Sequence, residues 1–263
     1  MPPAPKASVI VTTYNRLDYL KQALESVLAQ SITPQEIVVS DGGSNDGTLK
    51  WLRKNHPAVK IISAKGNPGP AVLMNLGLES TRGEFVTFLE SDDFWRPSYL
   101  AQMLANIRRS TALCLHCAYT AIDSRGRIII RAGRHKMPLC PPEILNFLGA
   151  RVPVARALAG CTRLSFTVFR RKVFSQLGGF DPRFKRLCCD ADFLFRIAEN
   201  FGASAFSWLD KDLGVWRQHP NQLTALDIRS VFPDYIRLNM KHPPVLKEKI
   251  SAALYKELQS SGS

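Results

Sequence analysis

Phe85-Val-Thr-Phe-Leu-Glu90-Ser91-Asp92-Asp93 decides the reading of this chain. Five residues suited to a buried strand run straight into three carboxylates within four positions. Like charges packed so closely repel, and each resists desolvation near a protein surface, so a cation or cationic partner is a natural reason to gather them. Hard oxygen ligands of this kind suit Mg²⁺ or Mn²⁺, which take a few carboxylates together with a substrate's phosphates. The plainer alternative is an acidic turn capping the next helix, and the rest of the chain weighs between the two.

Outward from this stretch, strand and helix patterns alternate. Ala7-Ser-Val-Ile-Val-Thr-Thr13 is a continuous β-rich run, as expected of a strand covered on both faces. Leu17, Leu20, Leu24, Val27 and Leu28 then form one helical stripe, with Asn15 placed to cap it. Strands are expected at Glu36–Ser40 and Val59–Ser63, and helices at Thr48–Lys54, from Pro70 to about Ser80, and from about Pro97 to Arg109. This rhythm predicts an α/β fold, a Rossmann-like doubly wound and mostly parallel sheet, whose ligands bind outside the carboxyl ends of the strands. Thr12-Thr13-Tyr14-Asn15, Asp41 to Thr48, and Glu90 to Asp93 each follow a strand, so all three fall on one rim.

The second half is less regular. Ala118 to Arg131 reads as a hairpin turning at Asp123–Gly126, Pro138 to Gly149 as a loop and short helix, and Thr162 to Arg170 as a strand. Lys172–Leu177 and Asp190–Asn200 read as helices, and the chain from Pro233 as amphipathic helix.

Composition sets outer bounds. At 263 residues and 45% hydrophobic the chain can bury a full core. No apolar run approaches the ~18 residues of a spanning helix, and Met1 to Lys6 lacks the apolar stretch of a signal peptide and reads as a disordered lead-in. The six cysteines are then expected to be reduced, in a cytoplasmic protein. Cys114-Leu-His-Cys117 has the spacing of half a zinc site, but core packing is the favoured reading because no second pair accompanies it. The net charge of +13 points to nucleic acid, an anionic membrane or a phosphorylated ligand. Its basic residues are scattered, with no zinc finger or aromatic RNA-binding motif, so charge alone does not make a nucleic-acid-binding protein. Peripheral contact with an anionic membrane explains it equally well.

Five segments in order resemble the family 2 glycosyltransferases of the GT-A fold: Ser8–Asn15, Ile37–Thr48, Phe88–Asp93, Gly178–Phe184 and Asp190–Ala198. The resemblance covers about Ala7 to Thr224. It implies inverting transfer of a sugar from a nucleotide-diphospho-sugar, a UDP-sugar first among them, to a glycan or lipid-linked acceptor in surface polysaccharide or glycolipid synthesis. It also implies Mn²⁺ or Mg²⁺ as cofactor, and a location peripheral at the inner face of the membrane. Residues 7–110 would be the nucleotide-sugar-binding half, 111–232 the acceptor and catalytic-base half, and 233–263 a C-terminal helical segment.

The same resemblance assigns roles. Asp41 matches the contact to the donor's base or ribose, and its alternative is a turn residue before Gly42-Gly43. Thr12, Tyr14 and Asn15 would line the nucleotide pocket with Glu90 and Ser91. Glu90-Ser91-Asp92 matches the Asp-X-Asp metal motif with Glu in first place; Asp92 is the direct ligand and Asp93 orients the loop. Asp190 matches the general base, with Cys189 where relatives have Glu, and its alternative is a helix-start acid. His219, with Arg217 as a comparable candidate, would ligate metal or meet the diphosphate, unless it is a surface loop residue. Leu73-Met74-Asn75 stands where relatives have Ala-Arg-Asn, which leaves open impaired activity or a binding-only domain. The expectation that ties these together is convergence of Asp41, Asp92 and Asp190 on one hollow.

Overall fold

The computed structural model describes residues 6–130 and 163–223 and, in the C-terminal segment, residues 233, 234, 237, 238 and 240–242. Strands β1 (Ala7–Thr13), β2 (Glu36–Asp41), β3 (Lys60–Ser63) and β4 (Phe85–Glu90) arise from the four β-rich runs. They pair in parallel in the order β3-β2-β1-β4. Helices α1 (Leu17–Leu28), α2 (Thr48–Asn55) and α3 (Pro70–Glu79) connect them.

The later elements are β5 (Phe94–Trp95), α4 (Tyr99–Arg108), β6 (Cys114–Ile122), β7 (Ile128–Ile130), β8 (Thr167–Arg170), α5 (Lys172–Leu177), α6 (Cys189–Phe201) and β9 (Phe206–Arg217). Among the described residues they extend the same sheet to nine strands in the order β3-β2-β1-β4-β8-β6-β9-β5, with β7 on β6. β8 is antiparallel to both β4 and β6, whereas β9 runs parallel to β6. The parallel, doubly wound arrangement therefore belongs to the first half, and the second half makes the sheet mixed.

Two apolar layers cover the faces. β1 serves both, since alternate side chains of a strand point oppositely. Val9 and Val11 join Leu20, Leu24, Leu52, Leu100 and Met103 of α1, α2 and α4. Ile10 joins Ala71 and Met74 of α3, Phe174 of α5, and Phe193 and Ile197 of α6. Phe88 is fully buried at the centre of the second layer, with ring centroids 6.3, 6.0 and 5.3 Å from Phe169, Phe174 and Phe180. These edge-on pairs are the favoured aromatic geometry.

The cysteine spacing is resolved by the same alternation. Cys114 and Cys117 lie three apart on β6, so Cys114 enters one layer and Cys117 the other. Thiols on opposite faces of a sheet cannot share one ion, and burial pushes both well above their ordinary pKa.

Two expectations need revision, and one strand was not anticipated. The strand read over Thr162–Arg170 begins only at Thr167, because Leu164–Phe166 is a 3₁₀ turn. Ser165 of that turn is used elsewhere: its Oγ accepts the Glu90 N–H at 3.1 Å and its carbonyl the Trp95 indole N–H at 2.5 Å. β9 went unread, since its stretch Ser207–Asp212 mixes polar and apolar residues. Its pairing with β6 shifts register around Ala118, which breaks the simple alternation. Asn15 does not cap α1, and the residue that does is described below. Pro138–Gly149, the lead-in through Pro5, and most of 233–263 lie outside the described residues. Among the described residues no helix is long and apolar enough to cross a membrane.

Replacing Phe88 by Ala is expected to cost about 3–5 kcal/mol, as for other large-to-small core changes. Urea unfolding would register this as a lower midpoint with an unchanged slope, and a loss under 1 kcal/mol would show that the aromatic layer is not close-packed.

Candidate active site

The parallel strands end level with one another. Thr12 lies beside Glu90, and Thr13 beside Asp41. Beyond these ends the loops tie the rim together: Ser91 N–H donates to the Thr12 carbonyl at 3.0 Å, and Gly42 N–H to that of Thr13 at 2.9 Å. Asp46 in the loop after β2 caps two helices at once. It accepts the Leu17 N–H of α1 at 2.9 Å and the Thr48 N–H of α2 at 3.1 Å. Asn15 instead sits at φ 49 and accepts the Asn45 N–H, so it links the two loops rather than closing the helix.

A cleft of about 350 Å³ opens at this rim. Of the residues singled out in the sequence, Thr12, Tyr14, Glu90, Ser91, Asp92 and Asp190 line it together. Asp190 comes from the first turn of α6, in the other half of the chain. Asp41 and Asn15 are not in the wall. Asp41 stands on the same rim but is fully buried. Its Oδ2 accepts the Gly43 and Ser44 N–H groups, each at 2.9 Å, and the Ser63 hydroxyl at 3.1 Å, while Oδ1 accepts the Ser44 hydroxyl. In this structure Asp41 is therefore the keystone of its own turn. His219 lies behind Asp92, with Nε2 3.0 Å from Asp92 Oδ2 and its ring 4.8 Å from that of Tyr19. It is a buried partner of the acid and not a surface residue. Arg217 turns away, donating its guanidinium to Gln22.

Two arginines that no sequence motif singles out complete the site. Arg16 donates to Asp92 Oδ2 at 2.5 Å and to the Asn221 carbonyl at 2.7 Å. Arg163 lies over the Trp216 ring, 3.6 Å from its centroid, and donates to the Tyr119 hydroxyl at 3.2 Å. Its charge acts on Glu90, Asp93 and Asp190. Lys185 and Arg186, both exposed, line the outer wall.

The acids divide by environment. Burial, and then the Asp92 charge, push Glu90 up to about 7, with Asp190 adding and Arg163 and Arg16 opposing. Burial, then Asp92 and Glu90, raise Asp93 well above the carboxylate range. Burial raises Asp190 as well, against the Ala191 N–H and Arg163. Asp92 is also buried, but the His219 hydrogen bond and the Arg16 charge outweigh that and hold it low. Oxygens of Glu90, Asp92 and Asp93 all lie within 4.8 Å of one another. An all-carboxylate set of this kind, part of it driven toward protonation by its neighbours, fits a hard divalent cation.

Packing from α3 fixes the loop that precedes α6. Asn75 forms a reciprocal pair with Phe180, donating Nδ2 to its carbonyl at 2.7 Å and accepting its N–H at 2.8 Å. A Cβ on Gly179 would lie 2.2 Å from Asn75 Oδ1, so only glycine allows this approach. Met74, where relatives of the resembled family carry Arg, is 2% exposed and forms part of the cleft floor.

The Glycosyl transferase family 2 model matches residues 8–178, well over half of the chain. The protein belongs to glycosyltransferase family 2. It is 37% identical over 131 residues to the chondroitin synthase of Escherichia coli, a stretch covering 48% of this chain but only 19% of that longer protein. Among solved structures, Staphylococcus aureus TarS 1–349 in complex with UDP-GlcNAc matches 97% of this chain and 73% of its own at a TM-score of 0.66 and 19% identity. The mannosyltransferase PcManGT of Pyrobaculum calidifontis, in complex with GDP-Man and Mn²⁺, matches all of this chain and 77% of its own at 0.59 and 20%. Both likenesses establish the GT-A fold for this family 2 chain.

The proton held by Glu90 sets a pH dependence. Its folded pKa of about 7 lies above the ordinary 4.5, so the metal-free protein is expected to lose stability as pH rises through that window. A cation held by Glu90 would have to displace this proton below pH 7, so apparent Mn²⁺ affinity is expected to rise about tenfold between pH 6 and 8 by calorimetry. A flat profile would remove Glu90 from the binding set.

Proposed function

We propose that this family 2 chain is an inverting glycosyltransferase, moving a sugar from a nucleotide-diphospho-sugar to an acceptor hydroxyl. The observation that carries the proposal is the shared cleft: Asp190, from α6, opens into the same hollow as Glu90 and Asp92 at the end of β4. A base for the acceptor and an acidic site for a diphosphate's counter-ion stand across one space.

Thr12, Tyr14 and Ser91 form the wall against which the nucleotide lies. Asp41 and Asn15 shape that wall from behind, and Asp41 meets a base or ribose when it exchanges one of its loop bonds. Glu90 faces the ribose or a metal-bound water. Asp92 would hold Mn²⁺ or Mg²⁺ directly, with His219, already hydrogen-bonded to it, as the neighbouring candidate ligand, and Arg16 withdrawing or sharing the carboxylate. Such a cation, when bound, supplies Lewis-acid stabilisation of the charge that develops on the departing diphosphate.

Asp190 Oδ1 is held by the Ala191 N–H at 2.8 Å, while its second oxygen has no partner among the described residues. That oxygen is free to take the proton of an acceptor hydroxyl as the hydroxyl attacks the anomeric carbon from the face opposite the leaving group. A carboxylate raised by burial is the better base for this step. Met74 supplies no charge to the diphosphate, and Arg163, Lys185 and Arg186 fill that place around the cleft, which favours an active site over a binding-only domain.

The likeness to a chondroitin synthase supports surface polysaccharide or glycolipid synthesis, with a glycan or lipid-linked acceptor. The net charge of +13 suits work at the inner face of an anionic membrane. UDP-sugars are the first choice of donor; structures of the same fold in complex with UDP-GlcNAc and with GDP-Man make GDP-sugars the comparison.

Thermal-shift measurements with each sugar nucleotide are expected to show stabilisation by one nucleotide class that grows when Mn²⁺ is added. Asp190→Asn should then lower turnover about 10²–10⁴-fold and leave that stabilisation intact. Absence of any shift, or full turnover by Asp190→Asn, would contradict the proposal.

A further inference from the structure

Asp190 reaches the cleft through a turn that needs outside support. Cys188, the residue before α6, has φ 66, a left-handed conformation that side-chain-bearing residues rarely adopt. The preceding residues Lys185, Arg186 and Leu187 direct three consecutive N–H groups at a single carboxylate. Asp234 Oδ1 accepts that of Lys185 at 3.3 Å, and Oδ2 accepts those of Arg186 and Leu187 at 2.8 and 2.9 Å. Asp234 is 5% exposed and is not part of the cleft wall. On its other side the turn meets the start of α3, where a Cβ on Gly69 would lie 2.4 Å from the Lys185 carbonyl oxygen.

The C-terminal segment grips α6 a second time. Asp192, fully buried, pairs with Arg196 of its own helix at 2.9 Å, with Lys241 at 2.7 Å and with His242 at 3.0 Å. His242 also meets Glu199 at 2.6 Å. The match to the family model ends at residue 178, before α6 and the C-terminal segment.

We propose that Asp234 is a positioning residue for Asp190: by occupying the N–H groups of 185–187 it holds the left-handed turn at Cys188 and so sets where the base enters the cleft. Three charge-assisted bonds to one carboxylate resist rotation of the turn better than neutral loop contacts would. Lys241 and His242 keep the rest of α6 against the same segment, so the turn and the helix are held from one side. The kinetic consequence rests on the sugar-transfer reading, whereas the structural one does not.

The test compares wild-type full chain with Asp234→Ala, Asp234→Asn and Asp234→Glu by two readouts. Hydrogen exchange in peptides covering 185–191 is expected to quicken about tenfold in Asp234→Ala while peptides of β1 and β4 stay protected. Unchanged exchange at 185–191 overturns the proposal. Mn²⁺-dependent release of UDP from UDP-GlcNAc, or of GDP from GDP-mannose, is then followed with water as the oxygen that takes the sugar, so that the free sugar and the nucleoside diphosphate are the products. The expected pattern is about a tenfold fall in kcat with donor KM within about threefold, and recovery in Asp234→Glu. Turnover equal to wild type, or kcat and donor affinity lost together, contradicts a positioning role. Asp234→Asn keeps the side chain's shape and an acceptor oxygen, so it reports on the missing charge even where Asp234→Ala fails to fold. If wild type releases neither nucleotide, the sugar-transfer reading fails, while hydrogen exchange still decides whether Asp234 holds the turn.

Discussion

Negative charge gathered at the end of β4 is the constraint around which the site is built. Glu90, Asp92, Asp93 and Asp190 crowd one rim, and burial removes the water that would screen them. Arg16 and Arg163 offset part of this, Arg16 by direct contact with Asp92 and Arg163 through its field. The relief is incomplete, since Glu90 and Asp93 remain driven toward protonation. In that state burial and the neighbouring charges favour the protonated forms of Glu90 and Asp93. Asp190 is raised by its own burial, against the Ala191 N–H and the Arg163 charge.

The fold delivers these groups from distant parts of the chain. Parallel pairing of β1, β2 and β4 brings their carboxyl ends level, so the loops that follow must share a rim. The mixed second half closes the cleft from above: the 3₁₀ turn at Leu164–Phe166 carries Arg163 inward, and α6 presents Asp190. Asn75 locks α3 to the loop before α6 through a reciprocal pair of hydrogen bonds with the Phe180 backbone, at a close approach that Gly179 permits.

Most of the first half was legible because its signals are local. Continuous β-branched runs mark buried parallel strands, and Pro70 marks a helix start. Asp92 and Asp190 could be chosen because Asp92 lies within one segment of family-like sequence and Asp190 opens another. What escaped was long-range. Arg16 and Arg163 are isolated cations with no pattern around them, and only folding places them beside the acids. Asn15 looked like a cap, yet Asp46, from the loop after β2, takes that task. Asp41 was expected in the hollow with Asp92 and Asp190, but its oxygens accept the Gly43 and Ser44 N–H groups and the Ser44 and Ser63 hydroxyls, which turn it inward behind the rim. β9 was missed because edge exposure and a register shift erase the period-two pattern.

The most direct measurement is anomalous diffraction from crystals of the wild-type chain soaked with Mn²⁺ and UDP. The account requires one strong peak against the Asp92 carboxylate, within the cleft that Glu90 and Asp190 also line. A peak elsewhere on the molecule, or a nucleotide bound with its diphosphate away from Asp92, would contradict it.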